Sequence, residues 1–262
     1  MAAELRPKDR FGRQLERQDE RDFPFYNREP VEVATWKWIV IIASCVVAIG
    51  VLSFFPEPNN YVALAPRILF PAIMLVVFIL LTGRFWSSLF RKLTGWDFLN
   101  MVFYAALNLL VTIIVGSIIK TLVGASANSA SQGLAALSPG ELASFYVGTG
   151  VQLFGEELFT MLPFIAVMYW LYSKGHTSRR TAIILAWLIT AVWFGAAHLP
   201  TYGFNVLQAV VGIGIARLVL TLAFIRTKNI LVSTGAHILN DWAGFTFALL
   251  TGLATAGVTA VH

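Results

Sequence analysis

Seven predominantly apolar stretches follow one another from residue 35 onward and leave a water-soluble fold almost no surface to present. They run over 35–55, 68–82, 98–123, 142–173, 181–199, 204–225 and 230–253. A helix needs about 20 apolar residues to cross the hydrocarbon of a bilayer. Inside lipid, only helices and closed barrels satisfy their own backbone groups. Charged residues make up 13% of the chain, against roughly 25% in soluble domains. The chain therefore reads as all-α, a polytopic transmembrane helix bundle of about seven (seven to eight) spans, whose constant partner is the lipid bilayer.

The charges that remain are placed at the segment ends. Lys and Arg are frequent in 1–37, in the 84–92 loop, in 174–180 and in 226–228, while 125–141 has none. All four basic patches lie on one side of the membrane if the N-terminus is cytoplasmic, as the positive-inside bias expects. The net charge of +5 is accounted for in this way, and no nucleic-acid partner is implied. Residues 1–34, dense in both signs of charge and without apolar periodicity, read as a poorly ordered cytoplasmic head and not as a cleaved signal. Residues 84–96 alternate aromatic and basic side chains near helical spacing, the pattern of an amphipathic helix lying in the interface. Ser138-Pro139-Gly140-Glu141 is a capping box with proline at the first helical position, so a helix should begin there. The single cysteine, Cys45, reads as a small packing residue. The organisation is thus a head (1–34), N-terminal spans (35–139), a polar-bearing core (140–253) and a short tail (254–262).

Within the spans the acids are Glu156, Glu157 and Asp241, and the histidines are His198 and His237. Placing an ionised side chain at the bilayer centre costs about 2.5–3.5 kcal/mol even on the lenient insertion scale, so such groups face protein or a wet cavity. Glu156 and Glu157 are about 100° apart on one helix, so one can enter a given cavity while the other needs a separate partner. His237 and Asp241 share a helix face at a spacing of four, as do Phe194 and His198. Pro200 follows at once, so His198 should sit near a helix end. A carboxylate pair, a histidine and a histidine–acid pair on three helices suit general base catalysis on water. They also suit a proton relay in a transporter, although no internal repeat supports that alternative.

Gly155-Glu156-Glu157, then Phe194-Gly-Ala-Ala-His198, then His237-Ile-Leu-Asn-Asp241 resemble the EExxxR, FxxxH and HxxxN/D motifs of the CPBP family. That family comprises the CAAX-protease and bacteriocin-processing (Abi) intramembrane proteases, related to the prenyl-protein endopeptidase Rce1. The resemblance covers roughly residues 140–250. It implies an intramembrane endopeptidase acting on a membrane-embedded or membrane-associated peptide, in a bacterial-type cell membrane. By that likeness Glu156 would activate water with His198, and His237 and Asp241 would orient it or stabilise the oxyanion. Glu157, Phe194 and Asn240 would support them. The family's arginine position holds Met161 here, and Arg217 in the sixth segment is the candidate to supply that charge. Met161 also keeps open a scaffold or immunity-type protein that has the fold without the chemistry. No cofactor is firm: Glu156, His198 and His237 could ligate Zn²⁺ with an open water position, yet a metal-free glutamate mechanism is equally compatible and is preferred. Substrate identity and oligomeric state are not encoded in these motifs.

Overall fold

The computed structural model describes residues 10–12, 15–17, 21–124 and 131–259, with side chains to residue 252. Among them there is no strand, and seven helices carry the fold: α1 (Thr35–Phe54), α2 (Leu64–Thr82), α3 (Gly95–Val123), α4 (Pro139–Tyr169), α5 (Arg179–Ala197), α6 (Gly214–Thr227) and α7 (Ile230–Thr259). Six helical segments are long and apolar enough to cross a membrane. The exception is α7, which carries the histidine–acid pair and runs on into the stretch expected to be a tail. Residues 260–262, and the head residues 1–9, 13–14 and 18–20, lie outside the described part.

The bundle is built around α4. Of its apolar window 78% is buried, against 44% or less in the other five candidate spans. Its start follows from sequence: Ser138 accepts from the Glu141 amide at 3.4 Å, and the Glu141 carboxylate accepts from the Ser138 amide at 3.0 Å. The same device, which the sequence reading did not identify, starts α3 with Thr94 and Asp97. Past Tyr169 the helix loosens into a π-helical turn, Trp170–Lys174, and another, Leu207–Ile213, leads into α6.

Two glycines let helices approach where side chains would forbid it. A Cβ on Gly155 would lie 2.5 Å from the Phe70 ring of α2. A Cβ on Gly195 would lie 2.7 Å from the Ala209 carbonyl oxygen and 2.9 Å from the Val210 Cα. Small residues at such crossings are what membrane helices use to pack closely. Gly155 directly precedes the buried Glu156, and Gly195 lies one turn before the half-buried His198.

Two expectations change. The interfacial helix over 84–96 is instead a short 3₁₀ helix, Gly83–Leu89, followed by non-helical residues up to Thr94. Arg91 turns inward there, donating to the Lys228 and Asp22 carbonyls at 2.9 and 2.8 Å. The apolar residues in the described part of the head are packed: Phe23, Phe25, Tyr26 and Val33 are buried. Arg179, at the first turn of α5, clasps Glu16 through Nη1 and Nη2 at 3.0 and 2.7 Å and reaches Asp22 at 2.6 Å. Lys228, between α6 and α7, lies 3.0 Å from Glu16. Glu16 and Asp22 thus find their partners in Arg179 and Lys228, and the aromatics are buried without helical periodicity.

Burial pushes the Glu16 carboxyl up. The Arg179 hydrogen bonds and the Lys228 and Arg179 charges outweigh this and hold it below the ordinary 4.5. A lowered folded value gives stability that is complete above the unfolded value and is lost as pH falls through the folded one. Hydrogen exchange should show the amides of Phe23, Phe25 and Tyr26 protected at neutral pH and progressively released as pH drops below about 4.5, with Glu16→Gln releasing them already at neutral pH. Gly195→Ala should destabilise the bundle by about 1–3 kcal/mol, read as a lower melting temperature in detergent, because backbone atoms cannot swing away.

Candidate active site

The two adjacent glutamates of α4 take opposite directions. Glu157 is fully buried and accepts from Arg217 of α6 through both oxygens, Nη1 to Oε1 at 2.6 Å and Nη2 to Oε2 at 3.0 Å. Arg217 is equally buried, its guanidinium carbon 5.1 Å from the Phe194 ring centre and its Nε donating to Thr221 at 3.2 Å. A two-pronged guanidinium–carboxylate pair uses the planar fork fully. Met161, in contrast, is an apolar core residue with no exposed surface.

Glu157 also meets His237 of α7, Oε1 to Nδ1 at 2.9 Å. A carboxylate paired with a guanidinium only accepts, so Nδ1 carries the proton it donates. The ring is thereby oriented by Glu157. His237 Nε2 is left 3.8 Å from Glu156 Oε2 and 3.8 Å from Asp241 Oδ1. Both separations exceed a direct hydrogen bond and match a bridging water.

Glu156 lines a cavity of about 750 Å³ that His198, His237, Asn240, Asp241 and Arg217 also line. His198 follows the last residue of α5, as the proline after it predicts. Its Nδ1 is 2.8 Å from the Phe194 carbonyl oxygen, an acceptor, so the neutral ring holds its proton there and keeps Nε2 as a lone pair. The Phe194 ring centre lies 4.5 Å from that of His198, the planes tilted by 40°, and 6.2 Å from the His237 ring. Asn240 donates to Asp241 Oδ1 at 2.7 Å.

Three participants lie outside the motifs. Gln152, one turn before Glu156, donates to Glu156 Oε1 at 2.9 Å. Asn108 of α3 donates to Asn240 Oδ1 at 3.0 Å, extending the network to a fourth helix. Arg67 of α2 lines the cavity from the end at which α4 begins. The spacing of four could have flagged Gln152, and isolation in an apolar run could have flagged Asn108. As to metal, Glu156, His198 and His237 line the same cavity, and among the described residues no group of three His, Cys, Asp or Glu is placed to hold an ion.

Residues 138–243, from the cap of α4 to just beyond Asp241, match the family described as type II CAAX prenyl endopeptidase Rce1-like. The region is an Rce1-like domain of the CPBP family, and that family implies CAAX-type intramembrane protease activity. No curated protein and no solved structure matched the chain.

Removing one partner of a buried ion pair leaves the other charge uncompensated and costs about 3–5 kcal/mol. Arg217→Met should lower the melting temperature in detergent sharply, and adding Glu157→Leu to it should recover most of the loss.

Proposed function

We propose that the protein is an intramembrane endopeptidase that hydrolyses a peptide bond in a membrane-associated peptide, with Glu156 as the base. The observation that carries this reading is the division of the glutamates. Glu157 is locked by Arg217 and His237, whereas Glu156 faces a cavity shared with both histidines. A water between Glu156 Oε2 and His237 Nε2 gives its proton to Glu156, and the oxygen adds to the substrate carbonyl carbon. The negative charge moves to the carbonyl oxygen, where a protonated His237 Nε2 and the second Asn240 amide hydrogen can donate. Collapse breaks the C–N bond, and the proton held by Glu156 passes to the leaving nitrogen. His198 supports the water with its unprotonated Nε2, and Asp241 fixes the Asn240 amide.

This route needs no metal. The scaffold alternative rested on Met161 in place of the family's arginine, and the charge supplied by Arg217 weakens it. Positive-inside placement supports the head and the basic loops on the cytoplasmic side of a bacterial-type cell membrane. The cavity then opens at the other face, beside Glu57, Asn60 and Gln132.

Purified protein in detergent, offered a library of membrane-anchored peptides with products sequenced by mass spectrometry, tests the reading. Glu156→Gln should reduce cleavage by about 10²–10⁴-fold while the melting temperature holds, and chelator should leave the rate unchanged. Undiminished cleavage by Glu156→Gln would sink the assignment. Loss with chelator and rescue by Zn²⁺ would sink the metal-free route.

A further inference from the structure

The geometry points to Arg67 as a binding group for a carboxylate of the peptide substrate, separate from the residues that activate water. Arg67 sits on α2 and is 8% exposed, yet its Nε and Nη1 have no hydrogen-bond partner. The side chain is held in place without being satisfied. Its guanidinium carbon is 5.5 Å from the Phe145 ring centre, and its Cδ and Nη1 press on Gly148, at 3.0 and 3.1 Å from where a Cβ would be. It lines the same cavity as Glu156. Glu57, the one acid exerting an attraction on it, is exposed and makes no hydrogen bond to either orphaned nitrogen.

A buried guanidinium with unused donors is costly unless an anion joins it. Its planar fork accepts a carboxylate through two parallel bonds. A phosphate dianion fits less well, because Glu156 and Asp241 line the same space and Arg217 is already committed to Glu157. Gly148 and Glu156 are eight residues apart on α4, about 12 Å along the axis. Three or four extended residues cover that distance. Arg67 is thus too remote to touch the reacting atoms but within reach of the same bound peptide.

This inference rests on the peptide-hydrolase reading, and a binding measurement separates the two. Fluorescent apolar decapeptides of one sequence serve as probes. One ends in a free carboxylate, one in an amide, and one in an amide with a single glutamate side chain. Their affinities are compared by anisotropy on Glu156→Gln protein in detergent. A carboxylate-bearing probe should bind at least about tenfold tighter than the plain amide, the scale of one charge-assisted bond. The ratio should fall towards one in a further Arg67→Gln variant and be partly retained with Arg67→Lys. Whichever carboxylate confers the gain identifies its source as the chain end or a side chain. Equal binding of all three probes, no binding of any, or a ratio that persists in Arg67→Gln would overturn the inference. Should Arg67→Gln fail to fold, the probe ratio on the Arg67-containing protein and its change with Arg67→Lys decide. Discrimination between the probes without cleavage of any peptide by the unsubstituted enzyme would count against the hydrolase reading alone.

Discussion

A carboxylate with no exposed surface, in the middle of a helix that crosses lipid, survives only if its charge is answered on the spot. In this protein Arg217 answers Glu157 with both arms, and His237 takes up one of the same oxygens. That single junction joins α4, α6 and α7. It also sets which way the neighbouring Glu156 faces, because adjacent residues cannot both turn to the guanidinium. The orientation of the His237 ring, and hence the gap between its Nε2 and Glu156, is a further result of the junction. Disturbing the pair would therefore alter the cavity that Glu156 lines as well as the packing.

Around this junction the bundle is arranged to bring polar groups close without opening the core. Gly155 and Gly195 allow α2 and the π-helical segment 207–213 to press against the helices that carry Glu156 and His198. Asn108 and Gln152 supply donors where the motifs supply mostly acceptors. At the other end of the molecule the ion pairs of Glu16, Asp22, Arg179 and Lys228 fasten the head to the loops after α4 and α6. The cavity and the head thus sit at opposite ends of α4, one polar and open, the other closed by charge pairing and aromatic rings.

The helices were readable because lipid demands unbroken apolar runs, and their interiors coincide with the expected segments. The π-helical turns at 170–174 and 207–213 were not, since they arise from packing and carry no composition of their own. Glu156, Glu157, His198, His237 and Asp241 stood out because an ionisable side chain in an apolar run is conspicuous. The absence of arginine at position 161 drew attention to Arg217, whose contact with Glu157 spans 60 residues of sequence. Gln152 and Asn108 were missed because a neutral amide costs too little in a helix to mark itself. The packing of Phe23, Phe25 and Tyr26 was not legible because Glu16 and Asp22 find partners only after Arg179 and Lys228 come together.

The split of one ion pair between α4 and α6 has a consequence for how the chain is made. Helices leave the ribosome in order, so α4 reaches the membrane with Glu157 before Arg217 has been synthesised. Until α6 follows, that carboxyl group has no counter-ion, and the half-made bundle must keep it neutral or hold α4 near water. An arginine at position 161, on the same helix, would insert together with the carboxylate and leave no such interval. Carrying the positive charge on α6 therefore makes insertion of the fourth span depend on the arrival of the sixth.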